Sequence, residues 1–295
     1  MTSNSLSVAC VGLGRMGSGI AHNIQRAGFP LTVFNRTAEK SKPFVAAGAK
    51  AARNPREAAA AADIVVTNLM DDASVIATMM TDDGLLAGMR RGAIHISTTT
   101  ISPTVSTRLA QLHAAQGSHY VAAPVAGRPD ASAAGQLLTF VAGEADVIER
   151  CRPVFQAYTR QVITVGTDPA VAMSLKLVGN FIVAGMLELF GEAYLLAEKR
   201  GVDTAILTNM FKMWMPAATE YVERISSRRF GDAGFTLDGG LKDVRLILDA
   251  AMEVHVPLPY ANVVRDRCIT AQARGMGEQD WSALTEIARI DAGEK

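Results

Sequence analysis

Three cysteines in 295 residues (Cys10, Cys151 and Cys268) are too few and too far apart for a disulfide framework or a thiolate metal site. They fit buried thiols in a reduced, cytoplasmic setting. Five histidines form no H-E-x-x-H or similar cluster, so no metal is expected. Neither sign of charge is in excess, with 29 basic and 29 acidic residues, so there is no basic stripe for nucleic acid. No apolar segment reads as long enough to span a membrane, and residues 1–5 look like a short polar tail rather than a leader. The partner these shortages leave is a small molecule. What remains is ordinary globular material, 49% apolar and 20% charged, long enough for a large core and two domains.

The informative residues come first. The apolar run Leu6-Ser7-Val8-Ala9-Cys10-Val11 meets Gly12-Leu13-Gly14-Arg15-Met16-Gly17, a G-x-G-x-x-G turn. A helical stretch follows, closing at Gly28, and then a second strand at 31–34. Strand, turn, helix and strand are the setting in which this spacing binds a dinucleotide. Gly12 allows the tight turn, Gly14 lets the backbone approach a pyrophosphate, and Gly17 lets the helix pack close to the strand. The pyrophosphate rests on the unpaired N–H groups and positive dipole end of the helix.

The second strand ends at Asn35-Arg36-Thr37. A fold of this kind that uses NAD places Asp or Glu here for the ribose 2′-hydroxyl. A carboxylate would repel a 2′-phosphate, whereas a guanidinium binds it through a bidentate pair, and Lys40 adds a second positive charge. The triplet therefore points to NADP(H) over NAD(H). The plainer alternative is that Arg36 is a solvated loop cation.

Two periods divide the chain. Strands at 64–69, 93–96, 119–122, 137–142 and 162–165 alternate with helical patterns at 58–62, 74–80 and 102–116, which implies a mostly parallel, doubly wound sheet. Asn54-Pro55-Arg56-Glu57 reads as a capped helix start with Glu57 reaching back to the cap, and Ser102-Pro103 repeats the cap-then-proline signal. From residue 170 to 199 one proline-free stretch reads as a single helix about 45 Å long. It is apolar nearly all round, which calls for burial on several sides. Helices at 204–213, 217–226, 241–253, 259–274 and 281–290 follow. The expected architecture is an α/β Rossmann domain (residues 1–165), then an all-α domain (166–295) for substrate and dimerisation, joined by the long helix. Such an apolar spine suits a partner subunit, so at least a homodimer is expected, and a tetramer is allowed.

A cofactor domain does not name a reaction. Lys176 sits near the start of the long helix, about ten residues past the last strand, with Asn180 one turn on along the same face. A lysine in a dry cleft loses part of its preference for charge and can pass a proton to or from a carbonyl oxygen. The competing reading is a lysine snorkelling from a half-buried helix. Ala123-Pro124-Val125-Ala126-Gly127-Arg128-Pro129 follows a strand at its carboxyl end, where open α/β sheets bind ligands. An anion-binding loop and a plain turn are equally compatible with it. The same rule marks Ser97-Thr98 and Asn68-Leu69-Met70. Lys242 either reaches the cofactor or is an exposed lysine.

Together the G-L-G-x-M-G turn, A-P-V-x-G (residues 123–127), a K-x-x-N-N-like stretch (Lys176 to Asn180) and F-x6-K-D (Phe235 to Asp243) resemble the β-hydroxyacid dehydrogenase family over nearly the whole chain. That family includes 3-hydroxyisobutyrate dehydrogenase and glyoxylate/succinic semialdehyde reductases, and is akin to 6-phosphogluconate dehydrogenase. The resemblance implies that Lys176 is the catalytic acid/base, Asn180 assists it and Lys242 contacts the cofactor. It also puts Ser97 and Thr98 by the nicotinamide ribose, and makes Pro124 to Arg128 the substrate loop. The N-R-T triplet resembles the NADPH-preferring reductases.

Three departures leave the substrate open. The family's A-P-V-S-G-G loop reads Ala126-Gly127-Arg128 here, so a serine is lost and an arginine gained, either to grip a carboxylate or to remodel the loop. The first asparagine of K-x-x-N-N is Gly179, and His95 stands where the family usually has Asp. The expected activity is an NADP(H)-dependent oxidoreductase of a small aldehyde or keto acid. The alternatives are an imine reductase-like enzyme, against which Lys176 counts, and a cofactor-binding protein without catalysis.

Overall fold

The computed structural model describes residues 6–294. Its first strands and helices are β1 (Val8–Val11), α1 (Arg15–Arg26), β2 (Leu31–Phe34), α2 (Lys42–Ala46), β3 (Lys50–Ala51), α3 (Pro55–Ala60), β4 (Ile64–Thr67) and α4 (Asp72–Met79). Next come α5 (Leu85–Gly88), β5 (Ile94–Ser97), α6 (Pro103–Gln116), β6 (His119–Ala122), β7 (Val125–Ala126), α7 (Pro129–Ala133), β8 (Leu137–Ala142), α8 (Ala145–Tyr158) and β9 (Thr159–Gly166). The rest is helical: α9 (Pro169–Lys199), α10 (Thr204–Trp214), α11 (Thr219–Ser226), α12 (Leu237–Glu253), α13 (Pro259–Ala273) and α14 (Glu286–Asp291). The chain forms two units, one ending at Lys176 and the other beginning at Leu177. The division falls inside α9, whose first turns bury Ala172 and Met173 in the core of the sheet unit.

The sheet runs β3-β2-β1-β4-β5-β6 in parallel, the doubly wound order, with β8 antiparallel to β6 at the far side. Beyond it β9 is parallel and β7 antiparallel to β8. Strands β1, β4 and β5 are buried along their whole length, because helices cover both faces of such a sheet and leave no polar side. Local chemistry sets the helix starts. The Asn54 side chain accepts the Glu57 N–H at 2.8 Å and Pro55 occupies the first turn of α3. Glu57, expected to reach back to the cap, instead accepts from the backbone and guanidinium of Arg53, which lies one residue earlier and offers a charge. Ser102 caps α6 as expected, and Gly117 ends it at φ +77°.

One polar group sits in the middle of the apolar sheet. His95, wholly buried in β5, meets Thr67 Oγ1 through Nε2 (2.9 Å) and His113 Nε2 through Nδ1 (3.0 Å). His113 Nδ1 in turn meets Ser118 Oγ at 2.8 Å. Burial disfavours the imidazolium. It holds His95 well below its usual value, with His113 adding to the effect, and brings His113 down to about 4.

In the helical unit Leu187, Phe190 and Tyr194 of α9 pack with Phe211, Leu241 and Trp281. Two expectations about α9 change. At 31 residues it is, by length and composition alone, apolar enough to cross a membrane. It also carries Glu188, buried and paired with Arg267 at 2.7 Å, on the side that packs into the helical unit. Nor is it covered all round: Val178, Ile182, Leu189 and Leu196 are exposed.

Candidate active site

The glycine turn between β1 and α1 is closed by geometry that only glycine allows. Gly12 has φ +94°, and a Cβ there would stand 2.2 Å from the carbonyl oxygen of Asn68 in the loop after β4. At Gly17 a Cβ would stand 2.1 Å from the Gly12 oxygen, so the helix lies directly on the turn. Gly14 is different: a Cβ there meets nothing within 4 Å. Helix α1 starts on it with no side-chain cap and no acidic residue in the first turn. This open, uncapped positive end fits a pyrophosphate. Leu13 is buried, Arg15 is exposed and Met16 is half-buried.

Asn35 braces the turn. Its Oδ1 accepts the Leu13 N–H at 2.9 Å, and its Nδ2 donates to the Thr37 carbonyl at 3.0 Å. Arg36, Thr37 and Lys40 project from this edge, exposed. The loops after β4 and β5 are stitched to each other. Thr98 Oγ1 donates to the Thr67 carbonyl (2.7 Å) and accepts from Asn68 Nδ2 (2.9 Å), while the Leu69 N–H donates to Thr99 Oγ1 (2.8 Å). Ser97 and Thr98 are thus buried side chains that shape the edge, and Met70 stands in the open. Asn68 and Thr99 belong to this framework, yet no sequence motif gave Thr99 a role.

The loop at 124–128 sits at the carboxyl edge of β6. Pro124 and Val125 are buried, Ala126 is half-buried, and Gly127 takes φ +140° with the Leu137 side chain close beside it. Arg128, half-buried, then stands at the start of α7 without a side-chain capping bond. Lys176 is half-buried on α9, one turn beyond the anchored Ala172.

In the helical unit, the Asn180 side-chain amide donates to Asp243 Oδ2, and Lys242 Nζ pairs with Asp243 Oδ1 at 2.6 Å. Asp243 is 2% exposed, so one buried carboxylate fixes both partners. Sequence reasoning quoted this aspartate in a motif and gave it no role. Among the described residues there is no cluster that could hold a metal. Burial pushes the Cys10, Cys151 and Cys268 thiols up to about 12, so they are packing groups rather than nucleophiles.

Comparison with known proteins agrees with this layout. Residues 7–166 match the family model of the NAD binding domain of 6-phosphogluconate dehydrogenase. Residues 171–288 match the model described as NAD-binding of NADP-dependent 3-hydroxyisobutyrate dehydrogenase. An uncharacterized oxidoreductase of Bacillus subtilis is 39% identical, over 96% of this chain and 100% of its own. The 3-sulfolactaldehyde reductase of Escherichia coli is 31% identical over 97% of each chain. Among solved structures, 3-hydroxyisobutyrate dehydrogenase of Mycobacterium tuberculosis superposes with a TM-score of 0.85 at 26% identity, over 96% of this chain and 99% of that one.

Proposed function

The chain belongs to the β-hydroxyacid dehydrogenase family, and we propose that it exchanges hydride between NADP(H) and a small aldehyde or keto acid, with Lys176 as the acid/base. An NAD(P)-dependent oxidoreductase acting on CH–OH groups is what the relatives support. The observation that carries the finer reading is the seat of Lys176. It rises from a helix whose preceding turn is embedded in the core of the unit that also holds the glycine turn, which supports a fixed seat for its side chain.

When bound, the nicotinamide supplies or takes a hydride at its C4. As the carbonyl carbon accepts that hydride, the Lys176 ammonium passes a proton to the carbonyl oxygen, and in oxidation the neutral amine takes it back. Asn180, held in one orientation by Asp243, aligns the substrate hydroxyl. Gly127 and Arg128 present a cation at the sheet edge for an acid substrate, and Lys242 reaches the cofactor. Arg36 selects the 2′-phosphate. The exposed apolar residues of α9 pack against a second copy of the chain, giving a homodimer.

The test is a panel of aldehydes, keto acids and imines with NADPH and NADH, run on the wild type and Lys176→Ala. Turnover of carbonyl acids should fall by about 10²- to 10⁴-fold in the variant while NADP+ still binds. Unchanged turnover overturns the role of Lys176. Imine turnover alone moves the protein to the imine reductases, and binding without any turnover makes it a cofactor-binding protein.

A further inference from the structure

The substrate loop and the cofactor turn share one buried bolt. Ser132, on α7, is wholly buried and bonds in three directions. Its hydroxyl donates to the Met16 carbonyl in the first turn of α1 at 2.7 Å. Its N–H donates to the Arg128 carbonyl at 2.9 Å. Its own carbonyl accepts from Asn23 Nδ2 at 2.8 Å, and Asn23, itself buried, also donates to the Gly19 carbonyl at 2.8 Å. Helix α1 thus holds the C-terminal end of α7, from which the Ser132 N–H reaches back to Arg128. The approach is close enough to require glycine: a Cβ on Gly19 would stand 2.5 Å from Ser132 Oγ and 2.8 Å from the Ala133 nitrogen.

We propose that Ser132 is a positioning residue that couples the cofactor turn (12–17) to the substrate loop (124–128). Met16 lies inside the glycine turn and Arg128 inside the loop, so the side-chain hydroxyl and the backbone N–H of one residue bridge the two. The bridge uses the α1 turn that receives the pyrophosphate. Ordering of that turn is therefore passed to α7 and to the backbone that carries Arg128. Ala133 also lies against α1, accepting from Asn23 Nδ2 at 3.3 Å, but it has no side-chain donor to reach the Met16 carbonyl. The inference rests on the reading that places the cofactor on the glycine turn and the substrate at the 124–128 loop.

Ser132→Ala is a mild change, since Met16 keeps its place in α1 and Ser132 buries no charge. Backbone hydrogen exchange with NADP+, and with NAD+ in parallel, reads the coupling without needing the substrate's identity. In the wild type, cofactor should slow exchange at 12–17 and also at 126–134. In Ser132→Ala the first protection should persist and the second should shrink. With any carbonyl acid turned over by the wild type, KM for that acid should rise about two- to tenfold, the size of one hydrogen bond, with kcat and NADP+ affinity little changed. That rise should vanish in an Arg128→Ala background, which a merely structural role would not produce. Gly19→Ala, which drives α7 away, should reproduce the loss of loop protection. Equal loop protection in wild type and Ser132→Ala, or no loop protection in wild type, overturns the coupling. Absence of protection at 12–17 with either cofactor instead overturns the cofactor reading itself.

Discussion

The sheet unit buries its apolar residues within itself, whereas the helical unit leaves a row of them in the open. Exposed apolar side chains of the sheet unit, such as Val45, Met70 and Met80, are scattered. On α9 of the helical unit Ile182, Leu189 and Leu196 recur every seven residues, each more than half exposed, with Ile206, Met213 and Trp214 of α10 also exposed. A parallel sheet covered on both faces closes its own core. A long helix packed on one side does not, and it leaves this stripe in the open. The homodimer proposed above is what would cover it.

The largest effect should come from breaking that second surface. Burying the exposed part of three aliphatic side chains of this size contributes about 3–5 kcal/mol per copy. Ile182→Glu combined with Leu189→Glu should turn a dimer into a monomer, read as a halved mass by light scattering, while the sheet unit still binds NADP+. A wild-type mass of one chain removes the dimer.

Acid should strike the sheet unit instead. The His113 value falls from 6.5 unfolded to about 4 folded, so between those limits the unfolded chain binds a proton that the folded chain excludes. Stability is therefore full above pH 6.5 and declines as pH falls towards 4, by about 3 kcal/mol for this one group. His95 acts in the same direction. Melting followed at pH 7, 6, 5 and 4.5 should show this slope, and His113→Leu should flatten it. An unchanged slope means the pair does not govern acid stability.

The ion pair of the helical unit is a smaller lever. Asp243→Asn keeps the volume but removes the charge that Lys242 Nζ meets and sets Asn180 against a second amide. Lys242 is 22% exposed, so water repays part of the loss and the cost should be about 2 kcal/mol, below that of a fully buried pair. Its side-chain readout is turnover: kcat should fall about tenfold with NADP+ affinity affected less. A variant as active as wild type would show that Asn180 needs no anchor.

What the sequence made legible was local. The glycine turn, the Asn54 and Ser102 caps and the alternation of strands are fixed by neighbours within a few residues, and they stand where expected. The helix α8 carries Pro153 within it, and α7 is only five residues long, so neither shows a clean period. The remaining differences are tertiary. The Asn35 amide serves Leu13, 22 residues earlier. Asp243 gains its role from Asn180, 63 residues away, and Ser132 from Met16, 116 residues away. Spacing along the chain carries no trace of such pairs.

Asn35 also sharpens the smallest prediction. With its amide committed to the Leu13 N–H and the Thr37 carbonyl, it contributes no charge at the end of β2. On the proposed reading, selection between the two cofactors then falls on Arg36 and, more weakly, Lys40, both exposed. An exposed cation facing a phosphate is worth about 1.4 kcal/mol, one decade in affinity, and salt screens it. Arg36→Ala should therefore raise KM for NADPH about tenfold, leave KM for NADH unchanged, and narrow the wild-type preference further as ionic strength rises. The measurement is kcat/KM for both cofactors at low and high salt. If the preference for NADPH survives the substitution at both, the 2′-phosphate is recognised elsewhere on the edge, and the contrast between a bracing Asn35 and a selecting Arg36 fails.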